Sequence, residues 1–243
     1  MSTPAAVLFD LDDTLFAHRE AVGDAIVAHV RALGHPYVVS DAAAEVEAWR
    51  ALEELHYHRY LAGELDYDGQ RRCRVRDYAA RHGVTLAADD ELPWFEGYSV
   101  RYAESWRLQG DARGCLDALR GTIPGVRLGI ITNGELDRQL LKLDAIGVGD
   151  DFDVVIASGD VGVAKPDARI FALACQRLGV RPSEAVYVGD RLATDAIGAA
   201  RAGLIGVWID RHGVEVAAEA SATADELGVR CITSLDQLVD VLG

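Results

Sequence analysis

Positive charge is scarce in this chain. Its 243 residues carry 24 lysines and arginines against 39 aspartates and glutamates, a formal net charge of −15. A surface of that sign repels a nucleic-acid backbone, so a nucleic-acid polymer is not an expected partner. It gives no general attraction to anionic metabolites either, and a phosphate site would need cations of its own. Cysteine is also sparse. Cys73, Cys115, Cys175 and Cys231 lie far apart without metal-type spacing, which reads as buried reduced thiols in a cytoplasmic protein. Long apolar runs are missing, and no stretch approaches the roughly 20 residues that span a bilayer, so no membrane partner is expected. The opening MSTPAAVLFD lacks a basic stretch and a long apolar core, so no signal peptide is expected. There is no internal repeat and no low-complexity segment. What is present is half hydrophobic and a quarter charged, an ordinary globular composition. The length suits one domain with an insertion, or two small ones.

From Val126 onward, short apolar runs alternate with helical patterns. Strands are expected at residues 126–131, 154–157, 185–188, 205–209 and 231–232. Helices are expected near 135–146, 167–178, 195–202 and 235–242, the last opened by Ser234 and Gln237 at capping-box spacing. Asp111 should cap a helix over 112–121. Such alternation implies a parallel sheet covered by helices on both faces, with the run near Val7 as its central strand. The expected fold class is α/β, a Rossmann-like doubly wound sheet. Between Phe16 and Ser105 strand-like runs almost vanish. Amphipathic helices are expected at 21–33, 41–61, 67–82 and 92–108, with Gly34-His35-Pro36, Gly63 and Gly83 as breakers. Residues 1–15 with 106–243 therefore read as the core, and 16–105 as an all-helical cap inserted after the first strand.

The chemistry concentrates in AVLFDLDDTLF, where an apolar run ends in acids. Burying carboxylates at the end of a core strand is costly unless something pairs with them, and a hard cation such as Mg²⁺ is the usual partner. Asp10 could hold the metal and attack phosphorus. Asp12, two residues on, could protonate a leaving oxygen and then activate water. Asp12, Asp13 and Thr14 are also good helix caps, so this segment alone leaves both readings open. Three further segments sit at strand ends: Ile131-Thr132-Asn133-Gly134, Ala164-Lys165-Pro166-Asp167 and Gly189-Asp190-Arg191-Leu192-Ala193-Thr194-Asp195. Taken singly these are turns or solvated loops. In an open parallel sheet the strand ends share one crevice, and the joint order favours one site. There Thr132 and Asn133 could donate to phosphate, Lys165 would supply positive charge, Asp190 would be a second metal carboxylate, and Asp195 would support the metal or orient Lys165.

With FDLDDTL, ITNG, AKPD and GDRLATD in order, the chain resembles the haloacid dehalogenase-like hydrolase superfamily over nearly its whole length. It looks most like the helical-cap phosphatase branch that includes N-acylneuraminate-9-phosphatase and a 5′-nucleotidase. The resemblance implies a Mg²⁺-dependent phosphomonoester hydrolase acting on a small phosphorylated metabolite, a sugar phosphate or nucleotide, through an aspartyl-phosphate. It implies Asp10 as nucleophile and metal ligand, and Asp12 as general acid/base ligating only through its main-chain carbonyl. Thr132 and Lys165 would hold phosphate, Asp190 would ligate Mg²⁺, and Asp195 would support it. Arg191 stands where many members have Ser, Thr or Asn. A phosphosugar mutase would share all four motifs. A 2-haloacid dehalogenase would share Asp10 but lack an acid at position 12. A binding protein on this scaffold would have lost Asp10, Lys165 or Asp190. Within the cap, His56, Arg59, Tyr60 and Arg71 are the candidates for substrate choice. His56 and Tyr60 lie at i, i+4 on one helix face. The plainer reading has the arginines solvated or paired with Glu53, Glu54 and Glu64. His35 and His82 read as surface residues, and Trp49, Trp94 and Trp106 as core. A monomer or homodimer is expected.

Overall fold

Ala6–Phe9 forms β1, and all four of its residues are fully buried. A strand buried on both faces reads as a continuous apolar run and needs a neighbour on each side. A computed structural model, which describes residues 3–243, supplies them. The other strands are β2 (Arg127–Thr132), β3 (Val154–Ala157), β4 (Ala185–Gly189), β5 (Ile205–Ile209) and β6 (Arg230–Ile232). They form one parallel sheet in the order β3-β2-β1-β4-β5-β6. The chain leaves β1 toward β2 and β3, then returns to β4 on the other side. The order therefore reverses at β1, the position where open α/β sheets bind ligands.

The helices are α1 (His18–Leu33), α2 (Ala42–Leu61), α3 (Tyr67–Arg81), α4 (Ala88–Glu104), α5 (Ala112–Thr122), α6 (Leu136–Ala145), α7 (Ser158–Val161), α8 (Ala168–Leu178), α9 (Gly198–Arg201), α10 (Ala218–Glu226) and α11 (Leu238–Leu242). One compact unit comprises the chain up to Ala17 with Arg107–Gly243, and the other is His18–Trp106. In the first unit, Leu8, Ile131 and Tyr187 of the sheet pack with Ile170, Phe171 and Ala174 of α8. In the second, Ile26 of α1, Trp49 of α2, Tyr78 of α3, and Trp94 and Tyr98 of α4 share a core. No helix among the described residues is long and apolar enough to cross a membrane.

Several local expectations need correction. The segment expected as a helix over 195–202 is a π-helical turn, Leu192–Ile197, running into α9. The wide turn turns Asp195 inward, consistent with the frequent use of π-turns at functional sites. Ser234 accepts from the Asp236 N–H, while the Gln237 side chain accepts from Thr233, so no reciprocal box forms. Asp111 makes no cap bond to α5, because Arg211, Ser234 and the Leu235 N–H take its carboxylate. α4 begins at Ala88 rather than 92, with Asp89, Asp90 and Glu91 in its first turn, where acids suit the helix dipole. α10 carries too weak an apolar pattern to have been expected. Cys231 is exposed, unlike Cys115 and Cys175. Trp106 is only half-buried. His82 is no plain surface residue: its ring packs against Tyr37 and Tyr78, and its Nε2 lies 3.1 Å from Glu45.

Candidate active site

Asp10 directly follows β1, Thr132 ends β2, and Asp190 directly follows β4. Parallel pairing sets these ends side by side: Phe9 is in register with Ile130 and Val188, and the Asp10 N–H donates to the Val188 carbonyl. Lys165 reaches the same point from the loop before α8. Its ammonium donates to Asp10 Oδ1 at 2.6 Å and to the Tyr187 hydroxyl at 2.7 Å, and pairs with Asp195 Oδ1 at 2.7 Å. An ammonium has three protons, so this set uses them all. The Tyr187 hydroxyl in turn donates a hydrogen bond to the Ile131 carbonyl. Gly189 makes room for the arrangement, because a Cβ there would lie 2.5 Å from the Asp195 side chain. Asp195 in turn accepts from the Arg191 N–H, and the Arg191 side chain is exposed.

Charge is not balanced here. Asp10, Asp190 and Asp195 each offer an oxygen within 4.8 Å of the others, against one buried ammonium. Burial, with Asp195 and Asp12 beside it, pushes Asp10 above the usual carboxylate range although Lys165 opposes this. Burial, Asp10 and Asp195 push Asp190 up as well. Desolvation alone would lower Lys165, but Asp10 and Asp195 outweigh it and hold the lysine above its usual range. The crowded acids grip the lysine tightly, while Asp10 and Asp190 ionise less readily. Such an all-oxygen, excess-negative cluster suits a hard divalent cation.

Asp12 is served by a different element. Its Oδ1 accepts from Lys142 Nζ at 2.6 Å, and Gln139 Nε2 approaches its Oδ2 at 3.5 Å. Gln139 also donates to Thr132 Oγ1 at 3.0 Å. Gly134 permits this, since a Cβ at that position would overlap the Gln139 amide. Asp13 turns the chain with a left-handed φ of 62°, which aspartate tolerates better than most residues. Arg211 then fixes the turn by donating to the Asp13 and Thr14 carbonyls while it forks onto Asp111.

The sequence thus led to Asp10, Asp12, Thr132, Lys165, Asp190 and Asp195, and the structure gathers all six at the strand ends. The Asn133 side chain does something other than the expected phosphate contact. It donates to the Lys165 carbonyl and accepts from the Lys165 N–H, tying the second motif to the third. Sequence reasoning missed Gln139, Lys142, Tyr187 and Arg211. Gln139 and Lys142 stand at i, i+3 on the helix following the second motif, and Tyr187 puts a hydroxyl into an aliphatic strand; both signals were present.

The helical unit's candidates have partners of their own. His56 is buried, its ring bonded to Asp77 at 2.8 Å and near Arg59, so it has no exposed face for a ligand. Arg59 pairs with Glu64 at 3.1 Å. Tyr60 is half-buried beside the rings of Tyr57 and Tyr67. Arg71 bonds the Tyr67 hydroxyl and stacks 3.8 Å from that ring's centre. Arg74, from the same arginine-rich run as Arg71, pairs with Glu53, as the plainer reading had it, and lies over Trp49.

The profile of haloacid dehalogenase-like hydrolases matches residues 4–203. The chain belongs to this family. It is 35% identical over 210 residues to a glyceraldehyde 3-phosphate phosphatase of Methanopyrus kandleri, covering 85% of this chain and 84% of that protein. It is 31% identical over 243 residues to a ribulose-1,5-bisphosphate 5-phosphatase of Halopiger xanaduensis, covering 98% of each. Among solved structures, the putative HAD-hydrolase YfnB of Bacillus subtilis superposes with a TM-score of 0.80 over 100% of both chains at 20% identity, a likeness of fold.

Proposed function

We propose that the chain is a Mg²⁺-dependent phosphomonoester hydrolase acting on a small phosphorylated metabolite, a sugar phosphate or nucleotide, through an aspartyl-phosphate on Asp10. The observation that carries this is the pairing of Asp10 with Lys165 at 2.6 Å beside Asp12 and Thr132. Lys165 orients the Asp10 carboxylate and offers charge to the incoming phosphoryl oxygens. The Thr132 hydroxyl and the Asn133 N–H add donors. Asp10 attacks phosphorus, the bond from phosphorus to the leaving oxygen breaks, and the Asp12 carboxyl gives its proton to that oxygen. Water then attacks the phosphoryl group, giving its proton to Asp12, and the bond to Asp10 breaks to release inorganic phosphate. Asp10, the Asp12 main-chain carbonyl and Asp190 would hold Mg²⁺, with Asp195 supporting. When bound, the ion neutralises the phosphoryl oxygens and the developing charge.

Phosphatase names among relatives of 35% and 31% identity support this reaction class. A halide leaves without a proton, so Asp12, with Lys142 and Gln139 at its carboxylate, argues against a dehalogenase. Residues 16–105 are proposed as the cap that selects the substrate. The test is hydrolysis of p-nitrophenyl phosphate and of a panel of sugar phosphates and nucleoside monophosphates, before and after chelation. Phosphate release should stop on chelation and return with Mg²⁺, and 2-chloropropionate should release no halide. Full turnover by metal-free protein, or halide release rivalling phosphate release, would overturn the proposal.

A further inference from the structure

Lys142 has no part in any of the four motifs, yet it is the best-placed cation for Asp12. It is 8% exposed, and its ammonium sits between Asp12 Oδ1 at 2.6 Å and the Phe16 ring, 4.8 Å from the centroid. One turn earlier on the same face of α6, Gln139 is 5% exposed and bridges Thr132 Oγ1 and the edge of Asp12. Asp12 itself is only partly covered, with 32% of its side chain exposed. A carboxylate in that setting has several rotamers open to it, and only one delivers its proton to a leaving oxygen. A buried ammonium backed by an aromatic face selects among them by a charge-assisted bond.

We propose that Lys142 is a positioning residue for general acid/base catalysis, holding the Asp12 carboxyl at the leaving oxygen while Gln139 keeps it in register with Thr132. The inference rests on the phosphatase reading. In this role Lys142 acts through Asp12 and not on the phosphoryl group. The proton inventory of the reaction is unchanged, since no proton is routed through Lys142. Its removal therefore harms esters in proportion to how much their leaving group needs a proton.

The experiment compares single-turnover hydrolysis of p-nitrophenyl phosphate and p-methoxyphenyl phosphate, whose leaving group is more basic, by the full chain with Mg²⁺. The proteins are wild type, Lys142→Met, Lys142→Arg, Asp12→Ala and the Asp12→Ala/Lys142→Met double variant, each with its thermal unfolding recorded. Lys142→Met should lose about tenfold or more on the methoxy ester and under about threefold on the nitro ester, a fraction of the full acid/base contribution. Lys142→Arg should restore most of the difference. In the Asp12→Ala background the lysine change should add less than about twofold, because residues acting as a unit are not additive. Equal losses on the two esters, which a phosphate-binding role would give, would overturn the proposal. Unimpaired Lys142→Met or additive losses in the double variant would do the same. Should wild type hydrolyse neither ester, the phosphatase reading itself fails first; should Asp12→Ala lose equally on both, the assignment of Asp12 as the acid fails first. Because Asp12 is part-exposed, Lys142→Met strands no buried charge and should fold; if it does not, Lys142→Gln, which removes the charge but keeps a polar side chain, decides on the two esters, a steeper leaving-group dependence than wild type supporting the proposal and an unchanged one refuting it.

Discussion

Replacing Lys165 by methionine tests the electrostatics of the site through stability alone. In the native chain its ammonium lies 2.6 Å from Asp10 and 2.7 Å from Asp195, and the three side chains are 3%, 10% and 1% exposed. Methionine fills a similar volume but leaves the acids without their counter-charge. Removing one partner of a buried pair costs about 3–5 kcal/mol. For a chain of this size each kcal/mol moves the melting temperature by about 2–4 °C, so a drop of roughly 10 °C is expected. The pH dependence has a definite sign. Lys165 titrates above its ordinary value of 10.5, so its contribution is fully present below that pH and is lost only as pH rises through the higher folded value. Asp10 is raised from 3.8 to about 7 by burial, with Asp195 and Asp12 acting in the same direction and Lys165 opposing. The folded state then holds a proton that the unfolded state releases, and metal-free wild type loses stability as pH rises between those values. Without Lys165 the opposing influence is gone, so the decline in the variant should be steeper and continue to higher pH. Urea unfolding of both proteins from pH 5 to 9, with and without Mg²⁺, reads this, and Mg²⁺ should recover part of the loss. A variant as stable as wild type at pH 8 without metal would refute the reasoning.

Asp111→Asn should cost about 1.5–3 kcal/mol at pH 7, the worth of a hydrogen bond to a charged group, since it strips the charge partner from Arg211 and loosens the turn after Asp12. Burial raises the Asp111 carboxyl, but bonds from Arg211, Leu235 and Ser234 bring it below 3.8. Its stabilisation is therefore present above that pH and fades as pH falls through the lower folded value, so the two proteins should converge only in strong acid when followed by circular dichroism. Alanine at Arg59, Tyr60 or Arg71 should reorder preferences across the metabolite panel while the Mg²⁺ requirement stays put. An unchanged ranking in all three would remove the helical unit's assigned role in selection.

The sheet was legible because parallel strands are written in short uniform runs: residues 154–157 and 205–209 were anticipated to the residue. Helix ends were less so. Whether Asp111 caps a helix or clasps Arg211 is decided by a residue a hundred positions away, which local pattern does not carry. Asp195 reads as an ordinary helix start, but the turn begins at Leu192 and is wider, with Asp195 facing Lys165. The same division holds at the site. Acids and a lysine at strand ends announce themselves, because such charges are costly there without a purpose. Lys142 and Gln139 sit on an amphipathic helix where polar residues are commonplace, and only the packing of α6 shows that these two face inward. His56 misled in the opposite direction: its spacing with Tyr60 suggested a ligand-facing pair, but the ring is buried against Asp77.

The central claim is covalent chemistry at Asp10, and the rate of Asp10→Asn tests it most directly. The substitution is nearly isosteric and keeps an oxygen for Lys165, so the protein should fold, which its melting curve will show. It removes the nucleophile, and turnover of p-nitrophenyl phosphate with Mg²⁺, on protein free of host phosphatase, should fall by at least about 10³-fold. Turnover at the wild-type rate would contradict the aspartyl-phosphate route.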